Sequence, residues 1–294
     1  MTGRLAAVKK ALKASGLAVE AREWRRSVLL EGRVDTWQQY IAAGYAAAGK
    51  GYKGVVNDIE VEGVRPQPGY LPPTQKGDLE GREFDIVIIG AGVIGCAVAR
   101  ELTRWNLTVA LLEKEDDLAK QTSSRNNGMI HPGIAASYGS KKLDYNIRGN
   151  RMYSQAAAEL GFKLNRCGSV VMLEKSWHRL GFPFVRHNAL KKGVAGIELL
   201  SPREVKDREP NSTPQQRGGL FLPSTGVVAP YKVTIAYGEN AVQNGAEVFL
   251  NAAVLGFELE RGSIVGLRTN RGKIWPKVVV NAAGVWADRI AGFA

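Results

Sequence analysis

Apolar and polar positions change period several times along this chain, and each change marks an element. Asp85 to Ile89 is a short apolar run rich in Val and Ile that ends on a glycine, too short for a buried helix, so a buried parallel strand accounts for it. Beyond Gly95 the apolar positions follow a helical face through Ala99 and Leu102, and Val109 to Leu112 make a second strand. Upstream, Leu5, Val8, Leu12 and Leu17 form the apolar side of a surface helix, and Ser27 to Asp35 is a strand. Thr36 caps a helix over Trp37 to Ala48, which Gly49 and Gly51 stop before a strand over Gly54 to Val61. Downstream, Lys141 to Leu160 is an amphipathic helix through Leu143, Ile147, Met152 and Ala156, and Arg166 to Glu174 is a strand of a different sheet. Ser201 and Pro202 open a short helix, GGLFLPSTGVVAP supplies a strand and turn, Tyr231 to Asn244 a helix and Ala246 to Leu250 a strand. From Ala253 a three-stranded meander is expected, after which VVVNAAGVW returns as a further buried strand.

Between the first buried strand and its helix lie Gly90, Gly92 and Gly95, spaced G-x-G-x-x-G. Gly90 permits a tight turn, Gly92 clears the approach of a pyrophosphate, and Gly95 lets the helix pack closely on its strand. Free N–H groups and the positive dipole end of that helix attract phosphate. Glu113 closes the second strand about 20 residues further on, where a carboxylate accepts hydrogen bonds from a ribose and disfavours the 2′-phosphate of NADP. A lone glycine motif is weak; here strand, turn, helix, second strand and acid occur in the required order. The polar stretch KEDDLAKQTSSRNNGMIHPGI that follows sits at the carboxyl end of a parallel sheet, where binding loops form.

Composition bounds the picture further. At 294 residues the chain suits two domains, and residues 62 to 82, with Pro66, Pro68, Pro72 and Pro73, have the composition of an extended linker. No apolar run approaches the roughly 20 residues that span a bilayer. Cys96 and Cys167 are the only cysteines, too few and too far apart for a disulfide framework or a metal cluster, and no metal is expected. Cys96, in the first turn of the glycine-motif helix, is a small packing residue. A net charge of +12 attracts anions or an acidic membrane surface without choosing between them. The basic residues lack an aromatic-interleaved cluster, so nucleic acid is not an expected partner.

The pattern LLEGRVDTW, an alanine-rich helix and YKGVVNDIEV over residues 15 to 62 resembles the BON domain, some members of which associate with phospholipid or partner proteins. GAGVIGCAVAREL, TSSRNNGMIHPGI, the run from LLSPREVKDREPN to LPSTGVVAP, and VVVNAAGVWADRIA together resemble the FAD-dependent oxidoreductases of the D-amino-acid-oxidase fold, in the glycerol-3-phosphate dehydrogenase and L-2-hydroxyglutarate dehydrogenase branch. The resemblance implies an α/β fold: a Rossmann-like FAD-binding domain (83–165 and 228–294) with an incomplete mixed β-sheet substrate domain (166–227). A small α+β BON-like domain (1–64) and a linker (65–82) precede it. It also implies FAD as cofactor and hydride transfer from a hydroxyl-bearing carbon of a small anionic substrate to flavin N5. Gly90, Gly92, Val93, Ile94 and Gly95 would hold the pyrophosphate and Glu113 the ribose. Ser123, Ser124, Arg125, Asn126, Asn127, Gly128 and Met129 would run along the flavin. Val254 would meet the adenine end, and Ala282, Ala283, Gly284 and Trp286 would form the small-residue turn beside the phosphates. His131 is either an orienting or proton-handling group near the flavin ring or a hydrogen-bonded loop residue.

A non-catalytic binding protein with a degenerate flavin domain is the competing class. An NAD-dependent dehydrogenase would leave SSRNNGMIH and NAAGVW unexplained. In the resembling family a long segment follows GVWADRIA, so a further C-terminal segment or a second subunit is expected to complete the substrate sheet. A cytoplasmic protein with peripheral membrane contact is the expected setting.

Overall fold

A computed structural model describes residues 3–64, 70–75 and 77–294, which fall into two compact units that divide between Gly69 and Tyr70. The smaller unit runs α1 (Gly3–Ala14), β1 (Val19–Trp24), β2 (Ser27–Val34), α2 (Trp37–Ala47), β3 (Val55–Val61). Its sheet has the order β1-β2-β3, with β1 and β2 antiparallel and β2 and β3 parallel. Thr36 caps α2 in a reciprocal capping box with Gln39. The order is α-β-β-α-β, one strand more than the sequence suggests: in VEAREW only Ala21 is buried, so β1 carries too little apolar period to announce itself. The first helix is the expected one-sided surface helix, Val8 and Leu12 buried in one cluster with Leu30 and Ala43 and Leu5 packed against it, while Leu17 lies beyond its end.

The larger unit is built on a six-stranded sheet. Its elements are β4 (Arg82–Ile89), α3 (Val93–Leu102), β5 (Val109–Leu112), β6 (Met129–Ile130), α4 (Lys141–Leu160), β7 (Leu164–Asn165), β8 (Ser169–Met172), α5 (Phe182–Lys191), β9 (Glu198–Leu200) and α6 (Pro202–Arg208). There follow β10 (Gly219–Leu222), β11 (Gly226–Val228), α7 (Pro230–Gln243), β12 (Glu247–Phe249), β13 (Val254–Glu260), β14 (Ser263–Thr269), β15 (Gly272–Asn281) and α8 (Ala287–Ala291). Sheet order is β12-β5-β4-β15-β14-β13. The first four strands run parallel and the last three form an antiparallel meander. Val87, Ile89, Ala110 and Leu112 face one core, while Ile88, Val109 and Leu111 face another under α3 and α7. Burial on both faces turns alternation into the continuous apolar runs seen in the sequence.

Four expectations are corrected here. The third meander strand and the returning strand are one element: β15 pairs antiparallel with β14 at its start and parallel with β4 along its length. Residues 70–75 and 77–82 are not a free linker. Leu79 is fully buried, Asp78 pairs with Arg271, and Asn270 donates to Pro73 O and accepts from Gln75 N through its own carbonyl. Pro66 and Pro68 lie outside the described residues. On α4, whose ends match the expected ones, Leu143 and Ala156 are buried but Met152 is exposed. Away from the main sheet, β8-β10-β9 and β6-β11-β7 form two small antiparallel sheets. β11 pairs with both β6 and β7, so the seam expected near residue 228 runs through a strand. No helix among the described residues is long and apolar enough to cross a membrane.

Candidate functional site

At the carboxyl end of β4 the chain turns at Gly90, whose φ of +100° lies in the region that favours glycine. Its N–H donates to Leu112 O at 2.8 Å, and a Cβ here would lie 2.7 Å from Ala282 O and 3.0 Å from Ala283 Cα. Gly95 is held more tightly still: a Cβ would stand 1.9 Å from Gly90 O, so the first turn of α3 rests directly on the glycine turn. Gly92 differs. It is the N-cap of α3 with φ −74°, open to any residue, and a Cβ would meet only Ser123 Oγ at 3.1 Å. What Gly92 preserves is therefore room, not backbone freedom. No side chain caps the helix at Gly92, while Val93 N–H donates to Ser123 Oγ at 2.9 Å.

Glu113 is buried, and its carboxylate accepts from Ala91 N–H at 2.7 Å and Glu115 N–H at 3.0 Å. Its first role is to brace the glycine turn; each oxygen keeps a lone pair for a further donor such as a ribose hydroxyl. The backbone of Glu113 is fixed as well, N–H to Phe249 O and C=O to Ala252 N–H. Two residues on, Val254 enters the core beside Leu112. On the other side of β4, Ala282 N–H donates to Ile89 O at 2.9 Å, and Gly284 turns the chain at φ +56° into Trp286. The buried indole N–H of Trp286 has no partner among the described residues, and Lys114 Nζ sits 4.7 Å from its ring centroid.

The loop from Lys120 to His131 is held by its own polar groups. Ser124 Oγ donates to Gln121 O, the Arg125 guanidinium to Lys120 O, and Asn126 Nδ2 to Thr122 O. Asn126 Oδ1 accepts from Gly128 N–H, and Asn127 Oδ1 from Met129 N–H. Gly128, at φ +65°, presses against Val228 O, which a Cβ would approach to 2.0 Å. His131 is exposed, its carbonyl accepting from Asn150 Nδ2 at 2.9 Å.

The structure thus gathers Gly90, Gly92, Val93, Gly95, Glu113, Ser123, Ala282 and Ala283 around one turn. Ile94 instead points to solvent, 66% exposed, and the Arg125 side chain folds back onto its own loop. Sequence reasoning missed Ala91 and Lys114, although both adjoin motif residues, and Asn150, whose side chain bonds the carbonyls of His131 and Ser224. Burial, reinforced by the nearby Glu113 carboxylate, pushes the Cys96 thiol up to about 12, which suits a packing residue. A helix start whose N-cap Gly92 supplies no capping side chain, the room kept at Gly92 beside Ser123 Oγ and an unpartnered buried indole N–H fit a dinucleotide lying across this turn.

Comparison with known proteins agrees with that geometry. Residues 85–294 match the family described as FAD dependent oxidoreductase. A glycerol 3-phosphate dehydrogenase of Caloramator mitchellensis is 37% identical over 207 residues, covering 70% of this chain and 43% of that protein. The L-2-hydroxyglutarate dehydrogenase of Escherichia coli K12 is 30% identical, covering 70% of this chain and 49% of the enzyme. Among solved structures, an L-alpha-glycerophosphate oxidase from Mycoplasma pneumoniae with FAD bound superposes with a TM-score of 0.66 at 27% identity, covering 72% of this chain and 57% of that one. Glycine oxidase from Geobacillus kaustophilus shares the fold, with a TM-score of 0.65 at 23% identity, covering 72% of this chain and 58% of its own. The chain spans about half the length of the curated relatives it matches.

Proposed function

The chain belongs to the FAD dependent oxidoreductase family, and from that membership we propose that it oxidises a hydroxyl-bearing carbon of a small anionic substrate, glycerol 3-phosphate before a 2-hydroxy acid. The observation that carries this reading is the turn at Gly90, closed by Gly95, braced by Glu113 and left open only at Gly92. Gly90, Gly92, Val93, Ile94 and Gly95 line the pyrophosphate. Gly92, Ile94 and Gly95 offer backbone N–H groups to it, while Gly90 and Val93, whose own N–H groups go to Leu112 O and Ser123 Oγ, shape the turn. Glu113 accepts from the ribose, and Val254 borders the adenine end. Ala282, Ala283 and Gly284 leave space beside the phosphates, and the Trp286 indole N–H donates to the cofactor. Ser123 to Met129 form the backbone track beside the ring system. When bound, FAD supplies the hydride acceptor, at N5. His131 takes the hydroxyl proton at an imidazole nitrogen as the carbon loses its hydride, leaving a carbonyl product.

A 2-hydroxy acid such as L-2-hydroxyglutarate is the second substrate reading, favoured by the likeness to the E. coli enzyme. We assign the remainder of the substrate site to residues that the longer relatives carry beyond the matched half, on the same polypeptide or on a second subunit, so turnover is expected to require them. A flavin-binding module without turnover of its own is the alternative. Residues 3–64, with their α-β-β-α-β order, are read as a BON-like partner-binding module.

Thermal unfolding with FAD and with NAD tests the cofactor, because a ligand bound only by the folded state raises the apparent midpoint by mass action. FAD alone should raise it, and a yellow complex with a flavin spectrum should form. A midpoint raised by NAD and not by FAD would overturn the reading. Bleaching of bound flavin under anaerobic glycerol 3-phosphate or L-2-hydroxyglutarate then ranks the substrates.

A further inference from the structure

Strands β6 and β11 part where the chain leaves the sheet at His131. Their ladder pairs Met129 with Val227 and Ile130 with Gly226, and ends there. One step further, an antiparallel ladder would set His131 opposite Thr225. Thr225 is engaged elsewhere instead: its N–H donates to Leu222 O, its carbonyl accepts from Gly168 N–H, and its hydroxyl meets Ser169 Oγ at 2.8 Å. A side chain from α4 fills the gap. Asn150 Nδ2 donates to His131 O and to Ser224 O, each at 2.9 Å, one N–H for the carbonyl on either side.

An amide in this place has two orientations, and only one of them donates to both carbonyls. Arg166, the residue after β7, sets the choice. Its guanidinium carries donors only: Nη1 donates to Asn150 Oδ1 at 3.0 Å and to Ser224 O at 2.8 Å, and Nη2 to Asn150 O at 2.6 Å and Ser154 Oγ at 3.2 Å. With its oxygen pinned by Arg166, the Asn150 amide turns its nitrogen toward His131 and Ser224. Gly226 leaves room for the Arg166 stem, since a Cβ there would stand 3.2 Å from Arg166 Cδ and 3.1 Å from Asn165 O. Helix α4, the exit of β7 and the turn between β10 and β11 thus meet at one amide, and His131 is held by it.

We propose that Asn150 and Arg166 are the positioning residues for His131: Arg166 fixes the amide of Asn150, and that amide fixes where His131 leaves the sheet and so where its imidazole is carried. Both act through the His131 main chain. The assignment rests on the proton-taking role proposed above for His131.

Imidazole resonances of the full chain test it, because His131, His178 and His187 are the only histidines and His131→Gln assigns the signal. Asn150→Ala should shift the His131 signal and leave the other two in place. Amide exchange at residues 129–134 should quicken by about tenfold or more, while β4 and β5 exchange as in the parent. Arg166→Gln should do the same, and the double variant should add nothing further, since Arg166 acts through Asn150. Arg166→Lys, which keeps the charge and loses the fork, should resemble Arg166→Gln. An unmoved His131 signal, exchange that quickens equally in β4 and β5, or single effects that simply add would overturn the proposal. FAD then separates this inference from the reading beneath it. Bound flavin should move the His131 signal in the parent and move it much less in Asn150→Ala; equal movement in both would also overturn the proposal. FAD that binds without moving the parent signal would overturn the role of His131 instead, and the resonances and exchange measured without FAD would still decide whether Asn150 and Arg166 place it.

Discussion

The glycine turn and the loop from Lys120 to His131 border the same candidate site and are built by different means. At the turn, backbone lies on backbone with no space to spare at Gly90 and Gly95, and the Glu113 and Ser123 side chains tie it together. In the loop, exposed Ser, Arg and Asn side chains bond the chain a few residues away, and tight packing appears only at Gly128. A packed turn fixes where phosphates lie, whereas a loop held by local polar bonds keeps its form but can yield around a ligand.

That contrast can be broken by substitution. Gly95→Ala should have the largest effect, since its Cβ would overlap Gly90 O; we expect about 3 kcal/mol or more of destabilisation by chemical denaturation. Stability equal to the parent would show that the helix is not seated on the turn. Glu113→Gln replaces an acceptor of two N–H groups with an amide that turns a donor toward one of them, and should cost about 1–3 kcal/mol. Further from the site, Lys277 and then Thr108 hold the Asp85 carboxyl down to about 2. A carboxylate lowered in the folded state contributes stability above its unfolded value of about 4, lost as pH falls toward about 2. An acid titration of the thermal midpoint should therefore flatten in Asp85→Asn relative to the parent. Gly92→Ala is expected to move stability least, within about 0.5 kcal/mol, because its backbone is unstrained. It should nonetheless weaken FAD binding, and a variant that binds FAD as the parent does would remove the pyrophosphate from that position.

Much of this was legible in the sequence where local chemistry decides the outcome. Ser201 and Pro202 announced the start of their helix, Thr36 its own, and the doubly buried β4 and β5 their apolar runs. Illegible features depend on distant partners. Leu79 belongs to the main core only because β14 and β15 come to meet it, and Asp78 has meaning only beside Arg271. Segment 175–191 was missed for another reason: its exposed Trp177, Leu180 and Phe184 blur the period that marks a one-sided helix. For Gly92 the motif suggested room rather than turn geometry, in keeping with its ordinary φ of −74°.

Strand β15 also sets a timetable for biosynthesis. The meander β13, β14 and β15 joins near neighbours and can zip up as soon as it is made. Its pairing with β4 must close a far larger loop, Lys277 meeting Asp85 across 192 residues. Because Ala282 and Ala283 form one wall against Gly90, a ribosome that has already released the glycine turn must still translate about 190 residues before that wall exists. Until then the nascent chain exposes the β4 edge, so cofactor capture waits for β15, and the edge is what a chaperone would have to shield.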